Sequence, residues 1–469
     1  MLPSVTIGLL STFIMVPVIT YYLDPKDFGL FAILSAITMP IGPLASTGVS
    51  WVLSSNYYLI DEAERKSLMF NILLLDFILK SFWVVLFWIT ASVILPAIVK
   101  DFDPRYLFYF KVLLISTLLN TFWPSVSFLI ILQNKGSLHA VLEITQWAAG
   151  AVAAVIGLVF FKWTTIVLFL IPLASAAISL ISSLWYIRKH IRPDIKKKWL
   201  IEIFKVGMPT IPISSLEVIA NITDRYFIQR WLSLSQLGIY SHSQSYRNIF
   251  TMCMRAFSRT IVPPLLEAFA KDLEVKNVKE TLTIWYGLLG LAGIFIALYS
   301  YEIVNILTHG KFVAAAPLIP LWFLLILSFT FGMPYTNFLL VRKKNAFLAY
   351  SFVVVCPLFI GITAFSVYAF GLIGGVISTV SSNFAIHLFR RTYAKKLGCI
   401  SIADKEFLSV TAIVLGFYLA VTFINISLLW KTLIFVLSSS LIIYMFNLGS
   451  FVKKLKQERE LVGRNRTGS

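Results

Sequence analysis

Three arginines sit inside a run that otherwise reads as a buried helix: Arg247, Arg255 and Arg259. At about 100° per residue, Arg255 lies about 80° and Arg259 about 120° round the helix from Arg247, so the three share one third of its circumference. A guanidinium keeps its charge when buried and donates two parallel hydrogen bonds, a fork that matches phosphate and diphosphate oxygens. In the preceding run Glu217, Asn221 and Asp224 are spaced i, i+4, i+7. That stripe can hold a coupling proton or sodium ion, or pair with the arginines. Asp76 and Lys80 form an i, i+4 pair in an earlier run and neutralise each other unless Lys80 turns to a ligand. The chemistry expected is therefore binding. Arg247 and Arg255, with Arg259 and Lys80 as lesser candidates, would grip an anionic group. Glu217, Asp224 and Asp76 would serve ion coupling or charge pairing.

Each candidate has a plainer reading. Arg259 is a turn or two from the end of its run and can snorkel to the interface. Asp224, near the opposite end of its own run, suits an interfacial pair that fixes a hairpin. His139 and Glu143 are again i, i+4 and read as structural; Lys111 reads as snorkelling, and His387 as a satisfied packing histidine. The cost of a charge at the bilayer centre, about 2.5–3.5 kcal/mol on insertion scales, favours a binding role for Arg247 and Arg255.

These residues must be positioned by membrane helices. The chain of 469 residues is 58% hydrophobic and 13% charged, with mean hydropathy +0.84. Soluble domains carry about 25% charged residues. With a ruler of about 20 apolar residues per span, the chain divides into about fourteen helices and no soluble domain. Met1 to Tyr22 reads as a retained first helix, not a cleaved leader. One continuous helix is expected over 106–132, one over 203–229, and a break near residue 370.

The net charge of +18 could point to nucleic acid, but the basic residues cluster in short loops on one side of the expected spans. They read as orientation signals and as contacts to anionic lipid, with both termini cytoplasmic and no nucleic-acid partner. Cys253, Cys356 and Cys399 are far apart in sequence and show neither a disulfide framework nor metal spacing. No phosphate-loop motif occurs, so no nucleotide hydrolysis is expected, and no cofactor or metal. Asp101-Phe102-Asp103 fits the D-x-D pattern of membrane glycosyltransferases, but its loop is too short for an acceptor site. The expectation is a non-enzyme.

A short phrase occurs twice. Leu23–Ala32 reads L-D-P-K-D-F-G-L-F-A, and Leu232–Ser241 reads L-S-L-S-Q-L-G-I-Y-S. Each lies between apolar runs, as the turn of a membrane hairpin would. Six helices separate the copies, so duplicated halves would run in the same direction, about an axis along the membrane normal. The expected organisation is an N-lobe over 1–187, a basic cytoplasmic linker over 188–202 and a C-lobe over 203–393. Accessory helices follow over 407–451, then a polar tail over 452–469.

Tyr22 to Phe31, Gly207-Met208-Pro209, Asp224-Arg225-Tyr226, Gly238-Ile239-Tyr240 and Pro263-Pro264 together make the chain resemble the Wzx-type polysaccharide flippases of the multidrug/oligosaccharidyl-lipid/polysaccharide exporter superfamily. Asp24 stands where glycine is common in that family. The resemblance implies an undecaprenyl-diphosphate-linked oligosaccharide as cargo, moved across the bacterial inner membrane for surface polysaccharide such as O-antigen or exopolysaccharide. It implies alternating access coupled to H+ or Na+, with a polysaccharide polymerase and a chain-length regulator as partners. The alternatives are a multidrug or organic-cation exporter of the same superfamily, a peptidoglycan lipid precursor flippase and, further off, a membrane glycosyltransferase. The membrane-embedded charges lean basic, which favours anionic cargo over organic cations.

Overall fold

A computed structural model describes residues 14–45, 48, 52–53, 56–207, 211–271, 276–424 and 426–446. Residues 206–207, 211–214, 216–217, 220–221, 256, 276–277 and 345 are described by backbone alone. Among these residues every regular element is helical. The elements run α1 (Val16–Tyr22), α2 (Pro25–Thr38), α3 (Ile41–Leu44), α4 (Glu62–Ile98), α5 (Arg105–Leu119), α6 (Trp123–Leu132), α7 (Gly136–Val155, extended by a π turn over Ile156–Phe160) and α8 (Val167–Ile187). They continue as α9 (Lys197–Gly207), α10 (Ile211–Trp231), α11 (Leu234–Ala270), α12 (Lys276–Thr308), α13 (Leu318–Val341), α14 (Asn345–Lys396), α15 (Asp404–Phe423) and α16 (Leu428–Met445).

The chain is an all-α polytopic membrane protein. Ten helices among the described residues are long and apolar enough to cross a bilayer. The larger number expected from sequence has a physical reason. One of the ten, α14, holds two of the expected spans. They are joined at Gly371, whose φ of +59° and ψ of −134° only glycine adopts readily. α10 and α11 fall outside the ten; they are more polar, with Asp224 and Arg225 in α10 and the Ser, Gln and His run over 235–245 and Arg247, Arg255 and Arg259 in α11. The first expected span lies largely outside the described residues, as do Trp51, Pro209 and the tail. The single helix expected over 106–132 is interrupted between Leu119 and Trp123, with Pro124 opening its second half. α9 was not expected: Trp199 and Ile203 bury one face of it while the lysines of the basic segment stay outside.

The described chain groups into two compact units. Unit 1 is Met1–His242, Leu307–Lys311 and Phe352–Gly375; unit 2 is Ser243–Ile306, Phe312–Ser351 and Val376–Ser469. In unit 1, α4 starts at Asp61, whose carboxylate accepts from the Glu64 N–H at 2.7 Å. The basic segment is tied to that end: Asn71 Nδ2 donates to the Asp194 carbonyl at 2.8 Å, and Trp199 Nε1 to Glu64 at 3.0 Å. Lys196 also pairs with Glu64, and that hydrogen bond raises the lysine pKa.

The two copies of the repeated phrase meet inside unit 1. Matching pairs of positions are bonded at the two caps, in opposite senses: the Asp24 N–H donates to the Asp27 carboxylate at 3.1 Å, and the Gln236 N–H donates to Ser233 Oγ at 3.1 Å. Their glycines face each other. A Cβ at Gly29 would lie 1.7 Å from the Leu234 carbonyl oxygen, and one at Gly238 would lie 1.7 Å from the Pro25 carbonyl oxygen. Pro25 and Leu234 hold matching places in the phrase, so the contact is reciprocal, as a two-fold relation requires.

In unit 2 α13 is the central element, buried at nearly every position from Leu318 to Leu339. Arg391 Nη2 bonds Asp404 at 2.6 Å and Tyr335 bonds the same carboxylate, joining the ends of α13, α14 and α15. Lys431 of α16 pairs with Glu302 of α12 at 2.7 Å.

Candidate functional site

Each unit has its own cavity. In unit 1 a cavity of about 580 Å³ is bounded by α2, α4, α5, α6, α7 and α8. Lys80 lines it, with Asn120, Gln146, Ser35, Trp123 and Phe31 among its neighbours. The Asp76 carboxylate accepts from Ser125 Oγ at 2.7 Å and is buried. One turn further on, Lys80 reaches the cavity wall. Ser179 Oγ donates to Asn120 Oδ1 at 2.7 Å, fixing that amide. Two buried lining atoms, Ser35 Oγ and Gln146 Nε2, have no hydrogen-bond partner. Buried polar groups are almost always paired, so these two lining atoms are open to a hydrogen-bonding ligand. Amides, hydroxyls and a flat indole are what a sugar needs.

In unit 2 a cavity of about 460 Å³ lies among α11, α13 and α14. Arg255, Arg390 and His387 line it, with Ser258, Thr251, Thr336 and Asn337. Among the described residues no carboxylate lines it. His387 and Arg390 are one turn apart on α14 and share a face. Arg390 is 6% exposed; it donates to Ser351 Oγ at 3.0 Å and to the Leu348 carbonyl at 3.2 Å, which fixes its plane. His387 was expected to be a satisfied packing residue. Its ring is buried, but neither nitrogen has a hydrogen-bond partner. Gly332 makes room for it: a Cβ there would lie 1.8 Å from His387 Nδ1.

The other expected residues are placed as follows. Arg247 stacks its guanidinium 4.8 Å over the Trp322 ring, and Trp322 Nε1 donates to Ser243 Oγ. Arg259 is exposed on the surface of the chain. Of the three arginines, only Arg255 lines the unit 2 cavity. Asp224 is 2% exposed and receives the Tyr240 hydroxyl at 2.5 Å and the Arg225 N–H at 2.7 Å. The side chains of Glu217 and Asn221 lie outside the described residues. His139 bonds Ser127 at 2.6 Å and faces Glu143 at 3.6 Å, a local structural pair. Lys111 lies 5.1 Å over the Trp88 ring. Among the described residues no cluster of ligating side chains could hold a metal.

A family model described as polysaccharide biosynthesis protein matches residues 18–317. The chain belongs to that family. The match takes in Asp76, Lys80, Asp224, Arg247, Arg255 and Arg259, and closes ahead of His387 and Arg390. Among solved structures, the chain is similar to the lipid II flippase MurJ in an inward closed conformation, with TM-score 0.74 and 13% identity over 96% of this chain and 97% of that one. It is also similar to an inward-facing multidrug resistance MATE transporter of the MOP superfamily, with TM-score 0.67 and 13% identity over 85% of this chain and 98% of that one. A Vibrio cholerae MATE transporter gives TM-score 0.57 and 10% identity over 87% and 96%. At these identities the likeness speaks for the fold. No curated protein sequence matches the chain.

This family member carries a D-x-D sequence, and its second aspartate is engaged. Arg105 Nη2 and Nε hold Asp103 at 2.6 and 3.0 Å, and this hydrogen bonding keeps its carboxyl below the usual range. An aspartate held by its own arginine is a loop brace, not half of a metal site.

Proposed function

We propose that the protein is a flippase that moves undecaprenyl-diphosphate-linked oligosaccharide repeat units across the bacterial inner membrane. The observation that carries this reading is a glycan-suited cavity around Lys80 in a chain of the polysaccharide biosynthesis family. Arg247 and Arg255 hold the diphosphate, with Lys80 and Arg259 as secondary contacts. Access alternates by rocking of two six-helix lobes, drawn at 1–187 and 203–393, with both termini cytoplasmic. A proton or sodium gradient biases the cycle, since a passive carrier only equilibrates its cargo. Glu217, Asp224 and Asp76 are the candidate carboxylates for that ion, and Asp224 is buried against Tyr240. A polymerase and a chain-length regulator take over the product.

The rival readings meet specific obstacles. A multidrug exporter that takes organic cations is opposed by two guanidiniums in the unit 2 cavity, where no carboxylate lines the wall among the described residues. A peptidoglycan precursor flippase is favoured by the MurJ-like fold and shares the diphosphate chemistry.

A strain lacking the gene decides between these readings when surface polysaccharide and the lipid-linked oligosaccharide pool are measured together. Lost surface glycan with complete repeat units on the cytoplasmic leaflet supports the proposal. Normal glycan with new sensitivity to cationic drugs moves the protein to the exporters, and accumulated peptidoglycan precursor moves it to the third reading.

A further inference from the structure

We propose that the unit 2 cavity is a pocket for a phosphate-type oxyanion, with Arg390 and His387 as binding residues beside Arg255. The pocket chemistry stands without the flippase reading; only a carrier lipid as the source of the oxyanion rests on it.

Four observations converge. First, two guanidiniums line one cavity, and among the described residues no carboxylate lines it. Second, His387 is 7% exposed and both of its ring nitrogens lack a hydrogen-bond partner. Even a neutral imidazole carries one N–H to donate, and a buried donor without an acceptor is destabilising. Evolution does not ordinarily leave one beside two arginines unless an acceptor comes to it. Third, the ring and the guanidinium are held in place: Gly332 seats the imidazole, and Ser351 and Leu348 orient Arg390. A preset donor array loses little freedom when the ligand arrives. Fourth, Phe329 and Met333 make part of the wall apolar, which strengthens each charged hydrogen bond inside. The volume of about 460 Å³ falls within the range of about 300–1,000 Å³ usual for small-molecule pockets. It exceeds what a bare phosphate fills and suits a diphosphate with part of its ester.

The ligand chemistry has two sources, the diphosphate of a carrier lipid and a free inorganic anion. The test uses the full-length protein in phosphatidylcholine nanodiscs, titrated calorimetrically with inorganic pyrophosphate. Saturable binding is expected, weakened roughly ten- to hundredfold by Arg255→Gln and by His387→Leu. Arg230→Gln, which alters no lining residue, should leave binding unchanged. Arg255 is exposed, so its substitution should leave the fold intact, as a melting curve checks, and the test does not depend on whether an Arg390 variant folds. Competition by a short isoprenyl diphosphate marks the pocket as a lipid headgroup site. Pyrophosphate binding without that competition marks it as a site for a free anion, and the pocket stands. No binding by folded wild-type protein, or binding unchanged in both variants, overturns the proposal. Gene deletion reports separately: normal surface glycan with pyrophosphate binding intact sinks the flippase reading alone, and lost glycan without binding sinks the pocket alone.

Discussion

The cavity of unit 1 surrounds a single lysine with amides, hydroxyls and an indole; the cavity of unit 2 sets two guanidiniums and an imidazole against apolar walls. They are similar in size and both are polar, yet the polarity differs in kind. Lys80 is a compact point charge with Asp76 one turn away, so the net field in its cavity is weak. Among the described residues no carboxylate lines the wall that carries Arg255 and Arg390, so the lining charge there is positive. One chain thus offers neutral hydrogen bonding suited to a sugar in one unit and concentrated positive charge suited to an anion in the other. A cargo that joins a glycan to a diphosphate has both halves of that chemistry.

Four substitutions test this contrast. The largest effect is expected from Arg255→Glu, which puts a carboxylate where none lines the wall. Surface glycan should fall to the level of the deletion strain at unchanged protein abundance; normal export would dissolve the contrast. Next is Gly332→Val, which forces the His387 ring from its seat. Overpacking of this kind costs about 1–3 kcal/mol, and a melting curve should show the drop in stability together with weaker pyrophosphate binding. An unchanged melting temperature would mean that the ring moves aside freely. Gln146→Leu, in the other cavity, removes one neutral donor. Export should fall about two- to tenfold while pyrophosphate binding holds. Equal loss of both would mean that the cavities act as one. The smallest effect is expected from Asp103→Asn. An exposed pair such as Asp103–Arg105 contributes at most about 1 kcal/mol, so export should be unchanged. Lost glycan synthesis in that variant would restore the glycosyltransferase reading.

Much of the framework was legible in the sequence, because helix length and the repeat are written in apolar spacing. The break near residue 370 followed from the length of the apolar run, and the turns at Leu23–Asp24 and Leu232–Ser233 from the repeated phrase. α9 was hidden because Lys197 and Lys198 in its first turn continue the basic run, so its start read as linker although Trp199, Leu200, Ile201, Ile203 and Phe204 follow. Arg255 could be found from the helical wheel, since its cost in a membrane demands a reason. Arg390 could not: at the end of its span it looked like an orientation charge, and only packing shows it buried. His387 was misread for the opposite reason. A lone histidine in an apolar run carries no spacing signal, and its missing partners appear only in three dimensions. The i, i+3 spacing of His387 and Arg390 was the one available clue.

The facing glycines of the repeated phrase carry a further consequence for how this chain can change over generations. After a duplication, two copies of a gene segment are normally free to drift apart. Here a side chain gained by Gly29 collides with the copy that holds Gly238, and the converse holds equally. Neither site can change alone, and a change at both would double the collision. This pair should therefore be among the last traces of the ancestral half to disappear, surviving where the rest of the two sequences has lost any likeness.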